Sequence, residues 1–97
     1  MKPVEFHPEA ATELDAAAGY YDRQMPGLGA DFRKEIELAT QKIQAAPLHW
    51  SPYSKHTRRF LVRRFPYLVI FQELTDEILI VAIAHGSRRP GYWQRRI

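Results

Sequence analysis

The chain has 97 residues, 45% of them hydrophobic and 26% charged, with a formal net charge of +3 and no cysteine. A polypeptide this short forms one domain, burying only about 60–65% of its unfolded surface around a single core. The missing cysteines exclude a disulfide scaffold, a thiolate zinc site and a cysteine nucleophile. The longest apolar run, Ile78 to Ala84, is far below the ~20 residues that cross a bilayer, so no membrane contact is expected. The opening Met1-Lys2-Pro3-Val4-Glu5 lacks the apolar centre of a signal peptide, and a cytoplasmic location is expected.

Charge is distributed unevenly. Residues 1–54 carry five basic and eight acidic side chains, whereas residues 55–97 carry nine basic and three acidic. All the cations of the second half except Lys55 are arginines, whose guanidinium binds phosphate and carboxylate bidentately and stacks on aromatic rings. An anionic partner is expected there, either nucleic acid or an acidic protein segment.

Val4 and Phe6 alternate with Glu5 and lead into His7-Pro8-Glu9-Ala10, which reads as a short strand giving way to a helix with proline in its first turn. Ala11, Leu14, Ala18, Tyr21 and Met25 recur at steps of three and four before Pro26-Gly27, predicting a helix over about 8–25. Leu28, Phe32, Ile36, Ala39, Ile43 and Ala46 repeat that period up to Pro47, predicting a second helix over about 28–46. The short link makes the two an antiparallel hairpin whose apolar stripes face a common surface, expected to be a sheet.

Residues Leu48 to Thr57 have no period and read as a loop. Three β-branched or aromatic runs follow, at 59–64, 67–72 and 78–84, separated by Phe65-Pro66 and by Leu74 to Glu77. The last is apolar on both pleat faces, as a central strand is, and the first carries arginines on both faces, as an edge strand does. The expected fold is therefore α+β, in the order β-α-α-β-β-β, with a helical hairpin on one face of a mainly antiparallel sheet. The tail from Ser87 to Ile97 is broken by Pro90-Gly91 and reads as a basic, aromatic appendage.

Eight arginines form four doublets: Arg58-Arg59, Arg63-Arg64, Arg88-Arg89 and Arg95-Arg96. Strand alternation would set Arg59, Leu61 and Arg63 on one face and Phe60, Val62 and Arg64 on the other, so one arginine column would face away from the helices. Together with Tyr53, Phe65, Tyr92 and Trp93 these cations suggest a binding surface, although arginine doublets also serve to blunt strand edges. His7, His49, His56 and His85 lack metal-ligand spacing, and no metal or cofactor site is expected. His85 sits beside Arg88 and Arg89, where an imidazole could act as general acid or base, or could simply cap its strand. Tyr92 and Trp93 read as lids over the end of a core rather than as catalytic groups. Glu9, Glu13, Asp15 and Asp22 read as a solvated helix face, and Tyr20-Tyr21 as packing within the helical hairpin.

The ordered set Phe6-His7-Pro8-Glu9-Ala10, Glu13-Leu14, Tyr20-Tyr21, Leu28-Gly29 with Phe32, Ala46-Pro47, Arg59 to Tyr67, Ala84-His85 and Arg89-Pro90-Gly91-Tyr92-Trp93 resembles the RelE/ParE superfamily of type II toxin–antitoxin toxins, often labelled plasmid stabilisation proteins. The resemblance spans nearly the whole chain and implies the same β-α-α-β-β-β fold. It also implies a growth-inhibiting toxin held inactive by a cognate antitoxin in a hetero-oligomer. RelE-type members cut messenger RNA on the ribosome; ParE-type members poison DNA gyrase. For the ribonuclease the resemblance points to Arg63, Arg64, His85, Arg89 and Tyr92 as catalytic residues. The closely spaced lysines that precede the strand arginine in that type are reduced here to Lys55, and the Phe65-Pro66-Tyr67 turn and the Arg89 to Trp93 tail are closer to ParE-like members. The gyrase-directed reading is therefore preferred, with Arg59, Arg63, Arg64, Arg88, Arg89, Tyr92, Trp93, Arg95 and Arg96 as target-binding residues. A toxin-like binding protein without activity is the remaining alternative. Helix one's apolar residues and the sheet face left bare by the helices are the expected antitoxin contact.

Overall fold

The computed structural model describes residues 1–97 and contains β1 (Val4–Phe6), α1 (Pro8–Gln24), α2 (Leu28–Ala45), β2 (Arg58–Leu61), β3 (Tyr67–Glu73) and β4 (Ile78–His85), followed by a 3-10 turn at Gln94–Arg96. The four strands form one sheet in the order β1-β4-β3-β2, with β1 parallel to β4 and the other pairs antiparallel. The element order and the central place of β4 are those expected from periodicity.

Local chemistry fixes the helix boundaries. The Nδ1 of His7 accepts the Glu9 N–H at 3.0 Å, capping α1, and Pro8 occupies a first-turn position that needs no donor. Gly27 turns the chain with φ 90°, and the Asp22 carboxylate of α1 accepts the Gly29 N–H at 2.8 Å, so one helix caps the other. A Cβ at Gly29 would meet the Ala18 carbonyl and lie 2.7 Å from the Asp22 Cγ, which is why a residue without a side chain stands at this crossing.

Phe32, Ile36, Ala39 and Ile43 of α2 pack with Ala10, Ala17 and Ala18 of α1 onto Phe60, Val69, Phe71, Ile78, Ile80 and Ile83 of the sheet. The stripe on α1 is rotated slightly from expectation: Ala10 and Ala17 are buried, while Met25 is exposed. Tyr21 joins a cluster with Phe32, Phe65 and Tyr67, but Tyr20 is half exposed and does not pack the hairpin as expected, because it borders a cleft with Tyr67, Ile83, His85 and Arg88 instead.

Two departures matter for function. The strand expected to reach Arg64 ends at Leu61: Val62 N–H still bonds Tyr67 O at 3.0 Å, but Pro66 has no donor and restricts Phe65, so reversal begins at Arg63, and Arg64 takes φ 70°. The tail is not an appendage. A bulge pairs Ile70 with Ala82 and Phe71 with Ile80, leaving Val81 over, so Val81 and Ala82 both face away from the helices. Trp93, 2% exposed, covers them together with Ile70 and Ala84. The apolar surface that the helices leave bare is thus partly closed by the chain's own C-terminal residues.

Candidate target-binding surface

The four arginine doublets do not make a single groove. Arg58 donates to Trp50 O at 2.8 Å and anchors the loop before β2. Arg59 points to the outer face and lies over the Tyr53 ring, 4.9 Å from its centroid. Because β2 stops at Leu61, alternation does not carry on to Arg63, and the expected column of Arg59 and Arg63 does not form. Arg63 instead stands beside Leu38 and Lys42 of α2, and Arg64 reaches Asp31 at 3.4 Å.

The tail is organised by a carboxylate. Glu13 of α1, with a side chain 17% exposed, accepts hydrogen bonds from both terminal nitrogens of Arg96 at 2.9 Å each, from the Tyr92 hydroxyl at 2.8 Å and from the Ile83 N–H at 3.0 Å. Arg96, 5% exposed, also donates to Val81 O at 3.0 Å. Beyond the end of β1 the outer edge of β4 is therefore closed by two side chains, one offering an acceptor to Ile83 and the other a donor to Val81. Burial pushes the Glu13 carboxyl up, but the hydrogen bonds from Arg96, Tyr92 and Ile83 outweigh it and hold the group below the usual carboxylate value. The bond to Glu13 raises Arg96 against the opposing effect of burial. Burial first, and then the bond to Glu13, push the Tyr92 phenol far above its usual value. Arg95 pairs with Glu9 at 2.9 Å and stays 72% exposed.

His85 ends β4 with its ring edge against Tyr67, and its Nδ1 lies 3.0 Å from the Ser87 N–H and 2.7 Å from the Ser87 Oγ, which is the strand-capping role. Arg88 stacks over Tyr92 at 3.8 Å, and His85, Arg88, Arg89 and Tyr92 border one small cleft. Neither Arg88 nor Arg89 has a carboxylate partner.

A family model described as the ParE toxin of the type II toxin–antitoxin system parDE matches residues 4–90. The chain belongs to the ParE toxin family. A solved structure described as the chromosomal ParDE toxin–antitoxin system from P. aeruginosa superposes on this chain with a TM-score of 0.78 at 20% identity, covering 88% of this chain and 96% of that one. The likeness is one of fold. No curated protein matches the sequence.

In this chain the residues suggested for ribonuclease chemistry fall into two groups. His85, Arg89 and Tyr92 border the same cleft, whereas Arg63 and Arg64 turn toward α2 and share no hydrogen bond or ion pair with them. Of the residues suggested for target binding, Arg59, Arg88, Arg89 and Arg95 present their cations to solvent or to an aromatic face. Trp93 and Arg96 are interior, and Tyr92 is engaged by Glu13. Glu13 departs from the solvated helix face expected of it. The signal that could have singled it out is its place on α1 one turn after Glu9, which brings both carboxylates to the strand edge where the two terminal arginines return.

Proposed function

We propose that this ParE-family toxin inhibits growth by binding DNA gyrase, and that a cognate antitoxin neutralises it. The observation that carries the binding reading over the ribonuclease is the state of Tyr92: its hydroxyl proton is committed to Glu13, and its raised pKa keeps it there, so it is poor at accepting or relaying a proton. The other proton carrier, His85, has its Nδ1 occupied by Ser87, and the arginines that would stabilise a phosphorane are divided between two places. Cations placed on a rigid, tail-braced face suit the capture of an anionic protein or nucleoprotein surface.

Pulse-labelling of DNA and protein synthesis in the first minutes after induction tests this, together with a supercoiling assay with purified gyrase. DNA synthesis is expected to stall first, and His85→Ala to remain toxic. A collapse of protein synthesis before DNA synthesis, abolished by His85→Ala, overturns the reading in favour of the ribonuclease.

A further inference from the structure

Beyond Phe6 the outer edge of β4 has no neighbouring strand, and its backbone groups follow one another in a fixed order. Val81 O accepts from Arg96 at 3.0 Å, and the Ile83 N–H donates to Glu13 at 3.0 Å. At the far end His85 O accepts the Arg88 N–H at 2.9 Å. The Gly86 N–H turns inward to Pro66 O at 2.7 Å, and direction alternates along a strand, so the Ile83 C=O and the His85 N–H also face outward, between those closures. Neither has a partner on that side. Beside them, between α1 and the end of the sheet, is a cavity of about 220 Å³ bordered by Ala16, Tyr20, Tyr67, Ile83, His85 and Arg88. It lies on the helix side of His85, whereas the cleft with Arg89 and Trp93 lies on the outer face. Tyr20 is half exposed at its wall, and Arg88, stacked on Tyr92 at 3.8 Å, has no carboxylate partner at its rim.

We propose that this corner binds an adenine mononucleotide, with the base against Tyr20, Tyr67 and the strand edge and the phosphate on Arg88. The inference is independent of the target proposed above. Adenine's amino group donates to the Ile83 C=O while the adjacent ring nitrogen accepts from the His85 N–H, which completes the edge as an added strand would. The neighbouring closures select the base. Glu13 already accepts from Ile83, Tyr92 and both terminal nitrogens of Arg96, about the four bonds a carboxylate holds. The exocyclic amine of guanine, placed beside it, finds no acceptor, and the second carbonyl of uracil faces its charge. Adenine presents only a C–H to His85 O, which Arg88 has already taken. A peptide strand is disfavoured, because the free edge is shut by Glu13 at one end and by the turn to Arg88 at the other, leaving room to pair one residue. A cavity below the ~300–1,000 Å³ of larger ligand sites takes a single ring system, and here aromatic walls that stack on a base adjoin a guanidinium that binds phosphate.

Calorimetric titration of the full chain with adenosine monophosphate tests this. Binding is expected with a Kd below about 1 mM, and roughly tenfold more weakly for guanosine monophosphate and for adenosine, which lacks the phosphate. Ala16→Glu, at an exposed position of the wall, should abolish binding by filling the cavity and repelling the phosphate, with its unfolding midpoint near wild type. Arg88→Ala should bring adenosine monophosphate down to the affinity of adenosine. If Ala16→Glu does not fold, Tyr20→Ala carries the comparison with the same direction of effect. Absence of binding by the wild type overturns the inference, and so does an affinity unchanged in the folded Ala16 or Tyr20 variant. Ribose phosphate binding as tightly as the nucleotide would reduce the corner to a patch for anions. A single-stranded oligoadenylate binding more tightly than the mononucleotide, and weakened by the same variants, would assign it to a nucleic-acid strand; either result overturns the mononucleotide. Growth inhibition enters none of these readings, so failure of the gyrase reading leaves the titration decisive.

Discussion

Arg96 gives both terminal nitrogens of its guanidinium to the carboxylate of Glu13, a residue 83 positions earlier in the chain, at 2.9 Å each. Hydrogen bonds from Tyr92 and Ile83 complete the same carboxylate, and the tail is thereby fixed across the outer edge of β4. Removing one partner leaves the other in a largely dry site. Arg96→Ala is expected to cost about 2–4 kcal/mol, below the upper range for fully buried pairs because Glu13 keeps some exposure. Urea unfolding measures this, and a double-mutant cycle with Glu13→Gln should show the two losses to be strongly non-additive.

The same carboxylate makes stability depend on pH. Its folded pKa lies below its unfolded value of 4.5, so its contribution is complete above 4.5 and is lost as pH falls through the lower folded value. Unfolding midpoints of the wild type should fall more steeply between pH 5 and pH 3, on the order of the usual carboxylate range, than those of Glu13→Gln. Parallel curves for the two proteins would refute this.

Trp93→Ala removes the cover of the outer apolar cluster and should cost about 3–5 kcal/mol by thermal or urea unfolding. A loss under about 1 kcal/mol would mean that the tail rests on the sheet without being part of its core.

Gly29→Ala is expected to destabilise by about 1–3 kcal/mol, since the new methyl meets the Ala18 carbonyl and the Asp22 carboxyl group at the helix crossing. Asp22→Ala, which removes the acceptor for Gly29 N–H without crowding, should cost about 1 kcal/mol. The order of these two effects, read from unfolding midpoints, separates close approach from capping.

Tail arginines have separable roles. Arg95 is exposed and paired only with Glu9, so Arg95→Ala should leave the unfolding midpoint near wild type and report on target binding alone. Deleting Arg95 and Arg96 together would weaken toxicity by loosening the fold as well. Growth inhibition by each variant, compared with its soluble yield, distinguishes the two effects.

The fold was legible because its apolar residues keep strict periods: Phe32, Ile36, Ala39 and Ile43 on α2, and the unbroken run of β4. Arg63 and Arg64 were misplaced because a count by twos cannot see that Pro66 forces the turn to start early. Glu13, Trp93 and Arg96 escaped for a different reason. Their burial depends on a bulge at Val81 and on contacts between opposite ends of the chain, and neither leaves a local mark in the sequence. The cleft of His85 and Arg89 was anticipated from adjacency along the chain, but the engagement of Tyr92 by Glu13 was not.

The clamp between Glu13 and Arg96 also bears on biosynthesis. Closing a loop of this length is entropically slow to be repaid, so Glu13 on α1 stays without its cation until Arg96 has been made. A chain that stops short of Arg96 retains the Glu13 carboxylate without its cation and Trp93 without its lock. Such fragments should unfold readily and be removed by proteolysis, so that only molecules carrying the clamp persist.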